Sequence, residues 1–213
     1  MMTLNRQRFF SAVRANPFGG KLTSGQVKGT EIILDLYYGR GEQGGARHLA
    51  YMLATALHET AATMQPVRET LAASDEAAIR ILDAAFAAGR LPQVRTPYWR
   101  RDADGKSWLG RGLVQLTHRR NYEAMSVLTG IDLVAAPHLA MEPKTSAVIL
   151  IEGMRNGSFT GRRLSHYLNA QRTDWEGARA IINGTDRAAL IASHAKAFYA
   201  ALLASRIEPA TAG

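Results

Sequence analysis

The sequence contains no cysteine, which excludes disulfide bridges, a thiolate nucleophile and any metal site built on cysteine. It has no run near the roughly 18 apolar residues that a membrane span needs, so we expect no integral membrane segment. Its first ten residues include basic side chains, but no apolar core of about 7–15 residues follows them. We therefore expect no secretory signal and synthesis that ends in the cytoplasm.

The chain has 213 residues, of which 46% are apolar, and it lacks repeats and low-complexity tracts. This length and composition predict a single globular domain over residues 1–213. Within it we expect a helical hairpin over residues 1–40, packed on or beside a core at residues 46–205. We also expect a monomer.

The net charge is +8, from 26 Lys and Arg residues against 18 Asp and Glu residues. Such a charge favours polyanions, which include nucleic acids, anionic lipids and the polymers of a bacterial envelope. The basic residues are scattered in ones and twos, and no nucleic-acid-binding motif accompanies them. We therefore expect a solvated basic surface or attraction to an anionic envelope, and no nucleic-acid partner.

Apolar residues recur at helical spacing along most of the chain, while strand patterns are few, so the predicted fold class is mainly α. Thr3 is the predicted cap of the first helix, Ser74 caps the fourth, and Thr23 with Gln26 has capping-box spacing. The segment from 89 to about 112 is predicted to be a loop or a short hairpin. The predicted helices cover residues 4–15, a stretch that starts at 23, and residues 46–64, 75–88, 121–128, 145–154, 173–182 and 187–205.

Glu59 is the first candidate for acid catalysis. It follows Met52 by seven residues and Ala56 by three, so on a helix its carboxyl group lies beside the apolar stripe. Loss of hydration favours the protonated form of a carboxyl group, as a general acid requires. The alternative is a glutamate at a helix end that reaches water, and position alone favours that alternative.

His58 precedes Glu59 and raises the question of a zinc protease. That motif needs a second histidine four residues after the first, where this chain has Ala62. His58 is therefore predicted to be a hydrogen-bonding neighbour of Glu59. Residues 102–105 hint at a calcium loop but lack its other ligands, so we predict a plain turn.

Glu69 is the candidate for a second carboxylate. On one unbroken helix it would lie about 15 Å from Glu59 and on another face. Pro66 disfavours helix at Gln65 and lets the chain turn back, which makes a pair possible. Hydrolysis of a glycosidic bond generally needs two carboxyl groups, roughly 6.5–9.5 Å apart when it inverts the anomeric centre. The alternative for Glu69 is a surface salt bridge, for example with Arg68.

Residues 110–117 combine two glycines around an arginine with alternating polar side chains. Period two places Gln115 and Thr117 on one face, where they can line a cleft and Thr117 can position a water molecule. A solvated edge strand is equally compatible with that spacing. Asn183 lies in a turn between two predicted helices, and its amide could also bind an N-acetyl group or the attacking water.

Taken together, these segments resemble the family 19 glycoside hydrolases, which include chitinases and, closer to this chain, the endolysins of phages and prophages. The opening residues 17–27 are also similar to the phage-type members. The segments that carry the resemblance are, in order, 58–60 (HET), 68–69 (RE), 110–117 (GRGLVQLT) with 121–122 (NY), and 181–184 (IING).

The resemblance implies a lysozyme-like, two-lobed helical fold and an inverting mechanism without metal or cofactor. Glu59 would be the general acid, Glu69 the base that activates water, and Thr117 a residue that helps to hold that water. Family members often have two tyrosines just before the Gly-Arg-Gly element, where this chain has tryptophan and leucine, so Tyr98 or Trp99 is the candidate aromatic contact. The substrate-binding residues would be His58, Tyr98, Gln115, Asn121 and Asn183.

The activity implied is that of a muramidase, which hydrolyses the β-1,4 bond between N-acetylmuramic acid and N-acetylglucosamine in peptidoglycan. Chitin is the alternative substrate, because it shares the β-1,4 N-acetylglucosamine geometry. A sugar-binding homologue without activity is the alternative from another class. The absence of a signal is consistent with an enzyme kept in the host cytoplasm until its release to the cell wall.

Overall fold

The computed structural model describes residues 3–41 and 44–207, and within these ranges the protein is mainly α, as predicted. Four short 3-10 helices supplement the α-helices, at Glu69–Leu71, Pro137–Met141, Leu164–His166 and Gly177–Ile181. The seven α-helices are α1 (Arg6–Ala15), α2 (Ser24–Gly39), α3 (Gly45–Glu59), α4 (Asp75–Ala87), α5 (Arg119–Thr129), α6 (Pro143–Asn156) and α7 (Ala188–Ala204).

Strand content is small, also as predicted. β1 (Thr3–Leu4) pairs antiparallel with β4 (Arg206–Ile207). The second pair joins β2 (Val67–Arg68) to β3 (Arg111–Gly112), again antiparallel, with Arg68 opposite Arg111. The strands β2 and β3 come from distant parts of the chain. Their pairing therefore brings the segment after α3 next to residues 110–112, the glycine-arginine element.

The helix α3 lies at the centre of the molecule. Every residue from His48 to Leu57 is buried, and the helix packs against α7 over most of its length and against α2 and α6 elsewhere. A helix that is apolar on all sides belongs in a core. Only its two ends therefore reach the surface, at Gly45 and at Glu59.

The hydrophobic residues form two clusters of unequal size. The large one surrounds α3 and includes residues of α1, α2, α5, α6 and α7. In the smaller one, Ala78 and Leu82 of α4 pack against Trp99 and Leu109 of the irregular segment that follows. The helix α4 and this segment thus form a small lobe beside the main core.

Two predicted helix starts are confirmed, since Thr23 and Gln26 form the capping box of α2 and the Ser74 side chain caps α4. The predicted start of the first helix, with Thr3 as its cap, is wrong. Asn5 caps α1 instead, and the residues before it pair in β1. Strand pairing of this segment with β4 therefore delays the helix by two residues.

The helix predicted over residues 46–64 ends earlier, at Glu59. The hydroxyl group of Thr60 donates to the carbonyl of Ala56 at 2.7 Å and accepts from the backbone N–H of Met64 at 3.0 Å. The threonine side chain thus satisfies backbone groups on both sides of the helix end, which stabilises a turn where the apolar periodicity alone predicted helix.

The helix predicted over residues 173–182 is also wrong, because only the 3-10 helix Gly177–Ile181 forms there. Thr173 is held in an isolated bridge with Leu168, so no helix begins there, and the Asp174 carboxylate caps the turn that follows by accepting from the backbone N–H of Gly177 at 2.7 Å. Bonds that span three residues then occur, as in the 3.1 Å bond from Ile182 N to the carbonyl of Arg179.

The first two helices contribute to the main core, but each has its own principal partner. The helix α1 packs against α7, and α2 packs against α6. Ion pairs from Arg6 to Glu31 (2.7 Å) and Asp35 (2.8 Å) join α1 to α2. Residues 42 and 43 lie outside the described residues. Among the described helices, none is long and apolar enough to cross a membrane.

Candidate functional site

Glu59 is the last residue of α3, at the point where this buried helix leaves the core. Its side chain is 15% exposed, and its Oε1 atom accepts from Nη1 of Arg179 at 2.6 Å. The Arg179 side chain is only 4% exposed and also donates from Nε to the carbonyl of Asp186 at 3.0 Å. A carboxylate at the negative end of a helix dipole needs a nearby cation, and Arg179 supplies it.

Glu69 lies beyond a reversal of the chain between residues 60 and 66, where a turn was predicted from Pro66. Both of its carboxylate oxygens have a donor. Tyr98 donates from its hydroxyl group to Oε1 at 2.6 Å, and the backbone N–H of Gly110 donates to Oε2 at 2.8 Å. The backbone N–H of Glu69 in turn donates to the carbonyl of Gly110 at 2.7 Å. These bonds fix the carboxylate against β3. The alternative, a surface salt bridge with Arg68, is not found, since Arg68 pairs with Asp75.

Two aromatic residues near Glu69, Tyr98 and His118, have pKa values shifted from the usual ones. Burial, together with the carboxylate of Glu69, raises the pKa of Tyr98 above its usual range, so the phenol stays protonated and donates. The ring of His118 packs on that of Tyr98 with 4.3 Å between centroids. Burial and the charge of Arg120 lower the pKa of His118, although Glu69 acts in the opposite direction. The imidazole is therefore neutral at pH 7.

Arg111, the arginine between the two glycines, is a structural residue. Its side chain is 2% exposed and donates to the Asp75 carboxylate at 2.5 Å and to the hydroxyl group of Tyr122 at 2.8 Å. Asp75 also accepts from Arg68 at 2.7 Å. Burial raises the pKa of Asp75, but the hydrogen bonds from Arg111 and Arg68 outweigh it, and the pKa lies below the usual value. This carboxylate links β2, β3 and α4.

Gly110 and Gly112 have no side chain, and neighbouring residues occupy the space that a Cβ atom would need. A Cβ atom on Gly110 would lie 2.8 Å from Oε1 of Gln115 and 3.2 Å from Cγ2 of Thr117. Gly112 has a φ angle of +89° and faces Ser146, whose hydroxyl would lie 2.6 Å from a Cβ atom there. The two glycines therefore allow the Gln115–Thr117 turn to pack over β3 and allow β3 to pack on α6.

Residues 113–117 form a tight turn, so the predicted extended segment is wrong. Gln115 has a φ angle of +53°, and two backbone hydrogen bonds between Arg111 and Leu116 close the turn. The predicted alternation of burial is nevertheless found, since Val114 and Leu116 are buried while Gln115 and Thr117 are half-buried. The side chains of Gln115 and Thr117 converge because of the turn and not because of strand periodicity.

A pocket of about 200 Å³ lies beside this turn. Its amide groups are held in place, since Gln115 donates to the carbonyl of Val67 at 3.0 Å and Asn121 donates to the carbonyl of Thr117 at 2.7 Å. Ile182 also lines this pocket. It follows Arg179 by three residues, and Arg179 is the partner of Glu59. The lining includes Gln115, Thr117, His118, Asn121, Phe159 and Ile182.

The residues that line this pocket do not include Glu59, Glu69 or Tyr98, nor the further candidates His58, Asn183 and Trp99. His58 lines a separate pocket of about 310 Å³ together with His194, whose pKa is lowered by burial and by the charge of His58. Asn183 is exposed, and its backbone N–H donates to the carbonyl of Arg179 at 3.1 Å. Trp99 is fully buried in the small lobe, so Tyr98 is the aromatic residue at the site.

Residues 102–105 form a plain turn, as predicted. The Oδ1 atom of Asp102 accepts from the backbone N–H groups of Asp104 and Lys106, each at 3.0 Å, which is a local turn and not a cage of oxygen ligands. Within residues 3–41 and 44–207, no group of three or more histidine, aspartate or glutamate side chains is arranged to hold a metal ion.

Two residues at the site were not among the sequence-based candidates. Arg179 was placed in a predicted helix without a role, although a single charge inside the apolar run 178–182 indicates a buried cation that needs a partner. His118 carries no comparable signal. Its backbone has a φ angle of +65°, and its contact with Tyr98 depends on the fold of the loop before it.

A scan against protein-family models found no matching family, and a search of curated proteins found no match. The assignment of a function therefore depends on the side chains and their geometry.

Proposed function

We propose that the protein is an inverting glycoside hydrolase that cleaves the β-1,4 bond between N-acetylmuramic acid and N-acetylglucosamine in peptidoglycan. The observation that carries the proposal is that two partly exposed carboxyl groups are held by different means. Glu59 is held by a buried arginine, and Glu69 by a tyrosine and by the backbone amide of Gly110, against which Gln115 and Thr117 of the polar pocket pack. Different environments for two carboxyl groups suit the two roles of acid and base.

The described residues leave one oxygen of Glu59 free for the proposed role of general acid, although the charge of Arg179 at the other oxygen favours the ionised form. Arg179 bonds to Oε1, and no residue in the described part of the chain donates to Oε2. A protonated carboxyl group can accept from Arg179 at Oε1 and donate from Oε2 at the same time. The proton on Oε2 would then go to the oxygen of the departing sugar.

Glu69 has the arrangement that a general base requires. Its two oxygens each have one donor, and a carboxylate oxygen has a second lone pair that can accept from water. In the reaction, the water oxygen bonds to C1 of the sugar while the bond from C1 to the leaving oxygen breaks. Glu69 takes a proton from the water, and Glu59 gives its proton to the leaving oxygen. The hydroxyl group of Thr117, on the turn packed against Gly110, is the candidate to orient that water.

The amide groups of Gln115 and Asn121 make the pocket suitable for an N-acetylated sugar. The net charge of +8 favours a polymer in an anionic bacterial envelope over neutral chitin. Peptidoglycan is therefore the proposed substrate, and chitin oligomers serve as the comparison.

The test is the release of reducing ends from purified peptidoglycan and from chitin oligomers by four proteins of verified fold. They are the native protein, the variants Glu59→Gln and Glu69→Gln, and the control Glu123→Gln, which alters an exposed carboxylate paired with Arg119. Loss of an acid or base should lower the rate by about 10²–10⁴-fold in the first two variants and leave the control unchanged. Full activity of Glu59→Gln, or sugar binding by the native protein without any product, would overturn the proposal.

A further inference from the structure

A second pocket, of about 620 Å³, lies at the amino end of α3. Gly44, Arg47 and His48 line it from this helix end, while Glu59 is the residue at the opposite end. A helix rises about 1.5 Å per residue, which places the two ends roughly 21 Å apart along the axis. The pocket is thus separate from Glu59, and Glu69 and Thr117 are not among its lining residues.

The lining of this pocket is strongly basic. It includes three arginines, Arg47, Arg155 and Arg163, and one carboxylate, Glu152. That carboxylate already has cations of its own, since Arg40 lies 3.3 Å and Arg155 4.0 Å from its Oε1 atom. Among the described residues that line the pocket, positive charges therefore outnumber negative ones, and an anion entering it would be attracted.

Arg155 carries the strongest sign of a missing partner. Its side chain is 9% exposed and packs over the ring of Tyr37, and its Nη2 atom donates to the carbonyl of Gly41 at 3.1 Å. Its Nε atom is buried and has no hydrogen-bond partner among the described residues. A buried guanidinium donor without a partner is costly, and an anion bound beside the same guanidinium group would offset that cost through its charge.

The end of α3 adds backbone donors to these side chains. The cap residue Gly44 makes no side-chain hydrogen bond, and the first turn of the helix has no acidic residue. The amino end of a 15-residue helix carries partial positive charge and unpaired N–H groups. Together with Arg47 in its first turn, this end can bind the oxygens of an anion.

We infer that this pocket is a binding site for a phosphate group. Arg47 is fixed by bonds to Asn169 and Thr173, both at 2.7 Å, and Arg163 donates to His166 at 3.1 Å, so both guanidinium groups are held in place. Several guanidinium groups in one lining suit the three or four oxygens of a phosphate, whereas a carboxylate is satisfied by one arginine. The volume allows the phosphate to be part of a larger molecule. This site does not depend on the proposed hydrolysis.

The test is titration with inorganic phosphate, followed by amide chemical shifts in NMR spectra and by calorimetry. The double variant Arg47→Ala/Arg163→Ala removes two pocket arginines. The matched control Arg90→Ala/Arg95→Ala removes the same charge from exposed positions outside the pocket. We expect shifts centred on residues 44–47 in the native protein and the control, and affinity at least about tenfold weaker in the pocket variant.

The source of the phosphate is distinguished by two further probes, a glycerol phosphate oligomer and vesicles of phosphatidylglycerol. Binding of either one that is lost in the pocket variant supports the site and identifies its ligand as a wall-type polymer or a lipid headgroup. Equal weakening in the control, equal binding of acetate, or no binding of inorganic phosphate by the native protein would each overturn the inference.

Discussion

The carboxylate of Glu59 is paired with a cation that comes from 120 residues further along the chain. Replacing Arg179 by methionine would leave a half-buried carboxylate without its partner. Because removal of one member of a buried pair is costly, we expect the free energy of unfolding in urea to fall by about 3 kcal/mol. In the control Arg119→Met, which breaks an exposed pair with Glu123, the loss should stay below about 1 kcal/mol. Equal small losses in both variants would contradict the buried pair.

The Asp75 carboxylate predicts how stability depends on pH. Burial raises its pKa, but hydrogen bonds from Arg111 and Arg68 lower it by a larger amount. The pKa of Asp75 in the folded protein is therefore below its usual value of 3.8. Its contribution is therefore fully present above about pH 4 and is lost as the pH falls through the lower, folded value. We expect Asp75→Asn to lose about 3 kcal/mol at pH 7 and to have a flatter stability curve below pH 4.

The control for this pH dependence is Asp35→Asn, because the Asp35 carboxylate is mostly exposed in its pair with Arg6. Stability measured by urea unfolding between pH 2 and pH 7 should follow the native curve closely in the control. A native-like acid limb in Asp75→Asn would show that another group is responsible for the acid sensitivity.

Some site residues were predictable one at a time from the sequence, and their partners were not. Glu59, Glu69, Gln115 and Thr117 were selected from residue type and spacing. The pairing of Glu59 with Arg179 depends on tertiary contacts that no local pattern contains, and the same is true of the histidines. His58 was expected to be a hydrogen-bonding neighbour of Glu59, but it lines a pocket together with His194. Adjacent side chains on a helix point about 100° apart, so the two residues face different directions.

At the scale of elements, the crossing of α2 over the turn after α3 depends on one glycine. A Cβ atom on Gly29 would lie 1.8 Å from the carbonyl oxygen of Met64, which is backbone and cannot move aside easily. We expect Gly29→Ala to lower the free energy of unfolding by about 3 kcal/mol or more, despite the better helix propensity of alanine.

The matched control is Gly25→Ala in the first turn of the same helix, where a Cβ atom would meet neighbours at an ordinary 3.8 Å. This variant should be neutral or slightly more stable in urea. If both glycine variants behave alike, α2 does not approach the turn as closely as described.

The close packing of the Gln115–Thr117 turn on β3 predicts an effect on activity. In Gly110→Ala the new Cβ atom would push Gln115 and Thr117 away from Glu69. Under the proposed function we expect the rate of peptidoglycan hydrolysis to fall by about 10–100-fold, because small displacements of positioning groups are costly. The control Gly39→Ala places a Cβ atom in open space at the end of α2 and should keep the native rate. A native rate in Gly110→Ala would contradict the positioning role.

Two helix starts marked by a capping residue were predicted correctly. Helix ends and starts that depend on hydrogen bonds competing with the helical backbone bonds were not. The starts of α2 and α4 follow from Thr23 and Ser74. The end of α3 depends on a threonine hydroxyl that replaces backbone bonds, and the segment before Ile182 starts late because Thr173 is bridged to Leu168. Apolar periodicity continues through both places, so it overestimated the helices.

At the scale of the whole molecule, the mainly α class follows from composition and periodicity, but the arrangement of the elements does not. The pairing of β2 with β3 joins segments about forty residues apart and places Glu69 against the glycine-arginine element. The small lobe around Trp99 comes from a stretch whose sequence predicted only a loop or hairpin. Contacts between distant segments depend on how the core packs, and a local pattern cannot specify them.

The two ends of α3 divide the molecule into regions with different chemistry. Glu59 lies at one end, and the basic pocket with Arg155 lies at the other. If both proposals hold, the protein binds an anionic group at one end of its central helix and cuts a glycan at the other. The net charge of +8 is then partly concentrated in a specific site.

The most direct test of the account is to identify the ends and the anomer of the first products formed from purified peptidoglycan. Proton NMR during early turnover distinguishes the two anomers, and mass spectrometry identifies the sugar at the new end. The account predicts new reducing ends on N-acetylmuramic acid that appear first as the α anomer, because a β bond is cut with inversion. Products that appear first as the β anomer, or that carry anhydro-muramic ends, would contradict the assignment of Glu59 and Glu69 as an inverting acid and base.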